Sequence, residues 1–184
     1  MAEELSEFEL IRAFNAGNHA AFNILAERYQ QRIYWHARRM TGNHFDADDV
    51  LQEVLIVLYN KLSGFKFNSS LYTWIYRITT TRCINFINRK KLRQFFSIDD
   101  DGFQELPSDA STESGLEIQE NMEKLDKVLQ TLPAKQRQAF ILRNMEQLSY
   151  DEISEITGTS TGALKANYFH AFEKVSRLMK EGNE

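Results

Sequence analysis

The stretch Leu148 to Ala171, L-S-Y-D-E-I-S-E-I-T-G-T-S-T-G-A-L-K-A-N-Y-F-H-A, allows very few folds. Ser149 followed three residues later by Glu152 is a capping box, and Ile153 and Ile156 give the helix it opens an apolar face. Gly158, four residues after the small Ser154, can take the left-handed backbone that ends that helix. Ser160 then caps a second helix whose apolar stripe runs Leu164, Tyr168, Ala171, Val175 and Leu178 at helical spacing. Two short helices joined by a tight turn have helix-turn-helix spacing, and the second helix of such a unit can lie in a DNA major groove. An ordinary helical hairpin shares the pattern, so the rest of the chain has to decide.

The remaining periodicity is also helical. Ser6 caps a short helix through Leu10, Ile11 and Phe14 that closes at Gly17; Asn18 caps a long one with Phe22, Leu25, Tyr29, Ile33 and Met40 inward, closing at Gly42. A third starts at Asp46, carries Val50, Leu51, Val54, Leu55, Leu58 and Leu62, and stops at Gly64; a fourth starts near Ser70 and runs to about Arg93. Beyond it come a helix with Met122, Leu125, Val128, Leu129 and Leu132, and another that Pro133 opens through Phe140 and Leu142. No segment alternates convincingly as a strand, so the expected class is all-α.

Charge divides the chain. The net charge of −4 over 184 residues looks wrong for a nucleic-acid binder, but residues 1–94 carry net +4, residues 95–120 carry −8, and residues 121–184 are neutral. The acidic part includes F-F-S-I-D-D-D-G-F-Q-E-L-P-S-D-A-S-T-E-S from Phe95 to Ser114, which holds Gly102 and Pro107 and keeps no periodicity. It reads as a flexible linker at 95–120 between two helical domains, 1–94 and 121–184. No apolar run approaches the ~18 residues of a membrane span, and the N-terminus is acidic where a secretory signal would be basic, so no membrane insertion and a cytoplasmic location are expected. A single cysteine, Cys83, excludes an internal disulfide and a cysteine-based metal cage; its apolar surroundings suit a small buried hydrophobe. His19, His36, His44 and His170 are scattered and no H-E-x-x-H motif or glycine-rich phosphate loop occurs, so neither an enzyme nor a cofactor or metal site is expected.

Two further segments carry signals. The third helix begins F-D-A-D-D-V-L-Q-E-V, where acidic residues suit a helix N-terminus through capping and the macrodipole. Equally, Asp49, Gln52 and Glu53 can offer a polar docking surface to a basic partner, opposite a very apolar face. A calcium loop is disfavoured, because Val50 and Leu51 stand where the glycine turn and ligands belong. The fourth helix carries Arg77, Arg82, Arg89, Lys90 and Lys91 without one acidic residue from Leu71 to Leu92, and Tyr72, Trp74, Tyr76 and Phe86 stand among them. Cations beside aromatics suit single-stranded DNA, although rings at helical spacing are more often core. The preceding loop, Phe65-Lys66-Phe67-Asn68-Ser69-Ser70, is polar, flanked by aromatics, and could hold a flipped base.

Three blocks, D-A-D-D-V-L-Q-E-V at Asp46 to Val54, F-N-S-S-L-Y-T-W-I-Y-R-I at Phe67 to Ile78, and L-S-Y-D-E-I-S-E-I-T-G-T-S-T-G-A-L-K at Leu148 to Lys165, occur in this order and spacing. In this the chain resembles an extracytoplasmic-function (group 4, sigma-70 family) sigma factor, with a region 2-like domain in residues 6–94 and a region 4-like helix-turn-helix domain in residues 121–180. The resemblance implies that Asp49, Gln52 and Glu53 dock on the beta-prime clamp helices of RNA polymerase core, with the beta flap a further contact of the enzyme. It implies that Lys66, Asn68 and Ser69 form a pocket for a base flipped from the −10 element, and that Trp74, Arg77, Arg82, Asn85 and Arg89 hold or melt the promoter DNA. The second helix of the tail would read the −35 element through Ser160, Thr161, Lys165, Asn167 and His170.

That helix departs from the family pattern, with Asn167, Phe169, Phe172 and Glu173 where relatives often carry cations, so weak DNA binding by the free chain is expected. The apolar faces of the two domains suit an anti-sigma factor wedged between them and equally suit packing on each other. Two other classes remain: a helix-turn-helix regulator with an N-terminal helical sensing or dimerisation domain, and a helical adaptor that binds only proteins. The first leaves the acid-free basic helix without a purpose.

Overall fold

The computed structural model describes residues 5–96 and 116–181. Among them there are eight α-helices and no strand: α1 (Glu7–Asn15), α2 (Ala20–Thr41), α3 (His44–Lys61), α4 (Leu71–Phe96), α5 (Leu116–Gln130), α6 (Ala134–Asn144), α7 (Tyr150–Thr157) and α8 (Thr161–Glu181), with one 3-10 turn, Leu62–Gly64, after α3. The all-α class and two helical domains follow, α1–α4 and α5–α8. No helix of the described residues is long and apolar enough to cross a membrane, and among them no group of three or more His, Cys, Asp or Glu side chains could hold a metal ion.

The capping chemistry sets the boundaries. Both capping boxes form: Ser6 Oγ accepts from Glu9 N at 3.3 Å while Glu9 Oε2 accepts from Ser6 N at 2.8 Å, and Ser149 and Glu152 repeat the exchange at 3.2 and 2.8 Å. These bonds hold both glutamate carboxyls below the usual carboxylate range. Two expected caps differ. Asn18 does not cap α2, whose N-cap His19 has helical φ and ψ and makes no side-chain cap bond. Asp46 does not open α3; Asn43 does, its Oδ1 accepting from Asp46 N at 2.8 Å, which places Asp46 within the first turn. Pro133 likewise stands at the N-cap of α6, outside the helix.

The linker is shorter than its composition suggests. Phe95 and Phe96 continue α4, and α5 starts at Leu116, so helix reaches into both ends of 95–120. The aspartate run, Gly102 and Pro107 lie outside the described residues.

The cores of the two halves are not separate. One buried apolar cluster runs from Leu10, Ile33 and Val54 through Val128, Leu129 and Ile141 to Ala171 and Val175. A second joins Tyr76 of α4 to Ala139, Leu142, Leu148, Ile153, Ile156 and Leu164. Burying a Leu- or Ile-sized side chain contributes about 1.5–3 kcal/mol, so a shared cluster couples the two halves strongly. The sequence left open whether the apolar faces of the two domains pack on each other, because a linker-like composition does not encode how its flanks pack.

The junction between the halves is polar at its edge. Gly42 ends α2 at φ +94°, a backbone that favours glycine, and a Cβ there would lie 2.6 Å from the Gln130 side chain of α5, which would have to move. Gln130 Nε2 donates to Arg39 O at 3.0 Å. Arg137 of α6, 5% exposed, donates to Met40 O and Gln130 Oε1, and to Gln130 O at 3.0 Å and Leu132 O at 3.1 Å. A guanidinium thus caps the carbonyl end of α2 from the other domain, where the helix dipole favours a cation. Its fixed fork serves acceptors that a lysine ammonium cannot reach together. Burial lowers its pKa to about 10, still fully charged at neutral pH.

Arg137→Ala should therefore lower unfolding stability by about 3 kcal/mol, the cost of stranding buried acceptors. Arg137→Lys should restore less than half, as read by chemical denaturation.

His36 supplies a second expectation. It is fully buried, packs edge-on to Tyr76 at 5.5 Å, and neither ring nitrogen has a hydrogen-bond partner. Desolvation, with Arg39 nearby, lowers its pKa to about 3 from an ordinary 6.5. Between those values the unfolded chain binds a proton that the folded chain refuses. Stability should fall as pH drops from about 6.5 towards 3, by at most ~1.4 kcal/mol per pH unit. Denaturation at a series of pH values should show a shallower acid limb for His36→Phe.

Candidate nucleic-acid interface

α3 and α4 pack side by side in the N-terminal domain and present opposite charges along their shared edge. Glu53 Oε1 accepts from Arg89 Nη2 at 2.7 Å, and Glu53 Oε2 lies 3.9 Å from Arg82. Asp46 Oδ2 accepts from Lys90 Nζ at 2.6 Å. Three of the cations assigned to nucleic acid from their pattern are therefore partly neutralised by α3. The cations reach solvent while Glu53 (35% exposed) and Asp46 (16% exposed) are more enclosed; partly solvated pairs of this kind contribute on the order of 1 kcal/mol and can be exchanged for a stronger partner.

The docking residues divide. Asp49 and Gln52 are exposed, whereas Glu53 is half-buried and belongs to the α4 edge. Asp49 and Gln52 share a stripe with Phe45 (74% exposed), Ile56 (61% exposed) and Tyr59, each on the same face at helical spacing. Sequence reasoning missed Phe45 and Ile56, although a large apolar residue interrupting a polar helix face was the available signal. Apolar residues ringed by polar ones have the composition of a protein contact centre.

α4 starts where Ser70 Oγ accepts from Thr73 N at 3.0 Å, and its acid-free face follows the loop of Lys66, Asn68 and Ser69. Lys66 and Asn68 are exposed and Ser69 is half-buried. Trp74 is half-buried, tilted against Phe65 with ring centres 5.1 Å apart and packed on the core, so it is a structural ring with one accessible part. Asn85 is exposed. Tyr76, by contrast, is 0% exposed: its hydroxyl donates to Glu146 Oε2 at 2.9 Å in the second domain, and Tyr72 stacks on it at 4.3 Å. Burial and Glu146 push the Tyr76 phenol far above its ordinary range and Tyr72 up to about 12, so both stay protonated donors. Arg77 Nη2 donates to Glu155 O of α7 at 2.9 Å. In this arrangement the tail domain covers one face of α4. Cys83 is fully buried, with its thiol pushed up to about 12 by desolvation.

The helix-turn-helix has the expected geometry. Gly158, at φ +68°, donates to Ser154 O at 2.8 Å, and Ser160 Oγ accepts from Ala163 N at 3.4 Å. Leu164, Ala171 and Val175 are buried, while Ser160, Lys165 and His170 are exposed and Thr161 and Asn167 half-buried. The five residues thus lie away from the buried stripe. Lys165 is already engaged, 5.7 Å above the Tyr150 ring, and His170 lies 4.0 Å from Glu173. Phe169 and Phe172 share this surface, both about half exposed.

Comparison with known proteins follows the same division. The family model of Sigma-70 region 2 matches residues 25–93, and that of Sigma-70, region 4 matches residues 122–175. The ECF RNA polymerase sigma-E factor of Escherichia coli (strain K12) is 29% identical over 98% of this chain and 97% of its own length. That of Haemophilus influenzae is 28% identical over 98% of each. Among solved structures, the sigma factor RpoE of Bartonella quintana, in complex with the anti-sigma factor NepR, superposes with a TM-score of 0.68 at 20% identity over 86% of this chain and 96% of that one. CnrH, in complex with the cytosolic domain of CnrY, gives 0.66 at 21% over 94% and 96%. The two matched regions, in order and separated by the acidic linker, together with full-length similarity to these relatives, leave one conclusion: the chain belongs to the sigma-70 family, as an ECF sigma factor that directs RNA polymerase to promoters.

Proposed function

We propose that the exposed stripe of α3 docks on polymerase, that α4 and the loop before it hold the opened −10 strand, and that α8 reads the −35 element. The observation that carries this reading is the shared edge of α3 and α4. An acidic, partly apolar helix face and an acid-free basic helix adjoin there, so one rigid unit can meet a protein on one side and a phosphate backbone on the other. Phe45, Asp49, Gln52 and Ile56 make the protein contact, with the apolar pair at its centre. Arg82, Arg89 and Lys90 exchange their carboxylate partners for phosphates, a trade that weakens with salt. Lys66, Asn68 and Ser69 receive the flipped base. Ser160, Thr161, Lys165, Asn167 and His170 face the −35 groove. The mechanism is non-covalent: binding free energy offsets the cost of unstacking bases, a few kcal/mol each.

This reading requires the two domains to part. Elements at −10 and −35 stand about 25 base pairs apart, on the order of 85 Å at 3.4 Å per step. A chain whose Tyr76 and Glu146 are 2.9 Å apart cannot span that distance. Opening frees Arg77 from Glu155 and uncovers α4, so the tail-on-α4 packing is a resting form of the free protein. An anti-sigma partner, such as the NepR bound to RpoE, would act on the same two domains.

Run-off transcription from fragmented genomic DNA with core polymerase and this chain should yield discrete starts; none at any fragment would overturn the reading. On a promoter so found, charge reversal at Arg82 and Arg89 should abolish strand opening, followed by permanganate reactivity, while core binding persists.

A cross-link tests the opening. Cysteines placed at Arg39 and Gln130 and joined by a short, cleavable bis-maleimide should lock the domains together, the buried Cys83 remaining unlabelled. Initiation should fall more than ten-fold and return on cleavage. Undiminished initiation by the locked chain would show that the domains need not part.

A further inference from the structure

The loop before α4 contains an aromatic residue in a backbone conformation that disfavours it. Phe67 has φ +58°, in the left-handed region. Glycine, asparagine and aspartate reach that region at low cost; a phenylalanine does not, since its side chain makes no local hydrogen bond to offset the steric clash. Strain of this kind persists where the surroundings hold it and the placement serves a purpose. The ring is nonetheless 47% exposed, so burial does not account for its position.

Its neighbours form a ladder. Trp74 meets Phe65 at 5.1 Å, Phe65 meets Phe67 at 4.9 Å, and Phe67 meets Phe8 of α1 at 5.3 Å, each pair with its planes tilted, by 44°, 59° and 54°. The inner end is anchored, since Phe65 is 8% exposed. The outer end is open, with Phe8 52% exposed. Arg12, one turn further along α1, lies with its guanidinium carbon 5.9 Å from the Phe8 ring centre. Lys66 and Asn68 flank the corner, both exposed. The carboxylates of the first turn of α1 are engaged elsewhere, Glu9 with Ser6 and Glu7 as acceptor from the Tyr29 hydroxyl.

We propose that Phe67 and Phe8 form a two-sided aromatic wall on which an unpaired DNA base stacks, with Arg12 at the adjacent phosphate. This rests on the reading of the Lys66–Ser69 loop as the −10 pocket, and it extends that pocket onto α1. Two rings meeting at an angle give a base one face to stack on and one edge to abut. Exposed cations beside them and, among the described residues of the α1 first turn, carboxylates already engaged favour a nucleic acid over a protein segment. The wall supplies stacking free energy to whichever base is extruded, while Lys66, Asn68 and Ser69 read its edge. The left-handed turn at Phe67 carries the ring outward from the anchored Phe65 to meet Phe8.

The test uses holoenzyme assembled from core polymerase and the full chain, on a forked probe taken from a promoter that the run-off experiment identifies. 2-Aminopurine is placed in turn at each unpaired −10 position. One position should show stacking quench with the native chain. Phe8→Ala and Phe67→Ala should each weaken forked-probe binding about 5- to 100-fold, the range of one base-stacking contact, and abolish the quench, while Phe67→Trp retains both. Arg12→Gln should lower the slope of log affinity against log salt by about 0.7, one phosphate contact on a single strand.

Phe67→Gly separates this role from a structural one: relief of the left-handed strain should raise or preserve thermal stability while probe binding falls as for alanine. Fully double-stranded DNA and core binding should be unchanged in all five variants. If the promoter opens normally and Phe8→Ala and Phe67→Gly bind the fork as tightly as the native chain, the wall is overturned while the sigma reading stands. If no promoter is found, it is the assignment of the −10 pocket that falls.

Discussion

Tyr76 leaves α4 on the side away from the cations and enters the apolar cluster of the other domain, where its hydroxyl needs an acceptor and finds Glu146. An unsatisfied buried phenol would cost about 1–3 kcal/mol, so that single hydrogen bond fixes how α6 and α7 lie against α4. Once they lie there, Arg77 reaches the last turn of α7, Leu164 of α8 joins the same cluster, and the two DNA-binding units cannot occupy separate sites on a promoter. At the opposite end of the contact Arg137 and Gln130 complete the carbonyl end of α2. The two junctions are chemically different but serve one result: neither domain has a fully satisfied surface until it meets the other.

Charge organises the second interface in the same way. Glu53 belongs by sequence to α3, the helix proposed to dock, yet its carboxylate is held by Arg89 and approached by Arg82 of α4, the helix proposed to hold the opened strand. A patch of like charge on α4 would repel itself in the free protein; α3 compensates it internally. Because the compensating pairs are partly solvated and weak, phosphates can replace the carboxylates at little cost. The overall charge of −4 therefore says little about this surface.

Much of this was legible in the sequence because it is local. Capping boxes at Ser6 and Ser149, the left-handed Gly158 and the stripe from Leu164 to Leu178 involve residues within a few positions of one another, and backbone sterics decide them. Asn43 was missed as the α3 cap because three aspartates follow it and any of them could have served. The role of Tyr76 was not legible: a tyrosine among cations on a helix reads as a nucleic-acid platform, and only tertiary contact shows that its ring is core of the neighbouring domain. Phe67 was invisible for a related reason. Its informative property is a backbone angle, which a residue type normally averse to it gives no means of foreseeing. The roles assigned to Asp49, Lys66 and Ser160 are of a third kind, since an exposed side chain shows where it points and not what it meets.

The closed form also accounts for the direction of control. A chain that binds DNA only when open has an apparent affinity reduced by the fraction of molecules that are open. With a merged core and a buried guanidinium at the junction, that fraction is small in the free protein. In the proposed reading polymerase changes it by holding the two domains at separate places, so that core-binding free energy, not DNA, supplies the work of opening. The neutral charge of residues 121–184 fits this arrangement, because a tail with little non-specific attraction for phosphates would gain little from DNA before the enzyme has positioned it. Selectivity then lies with contacts made after opening, and a strained aromatic beside α4 contributes only at that stage.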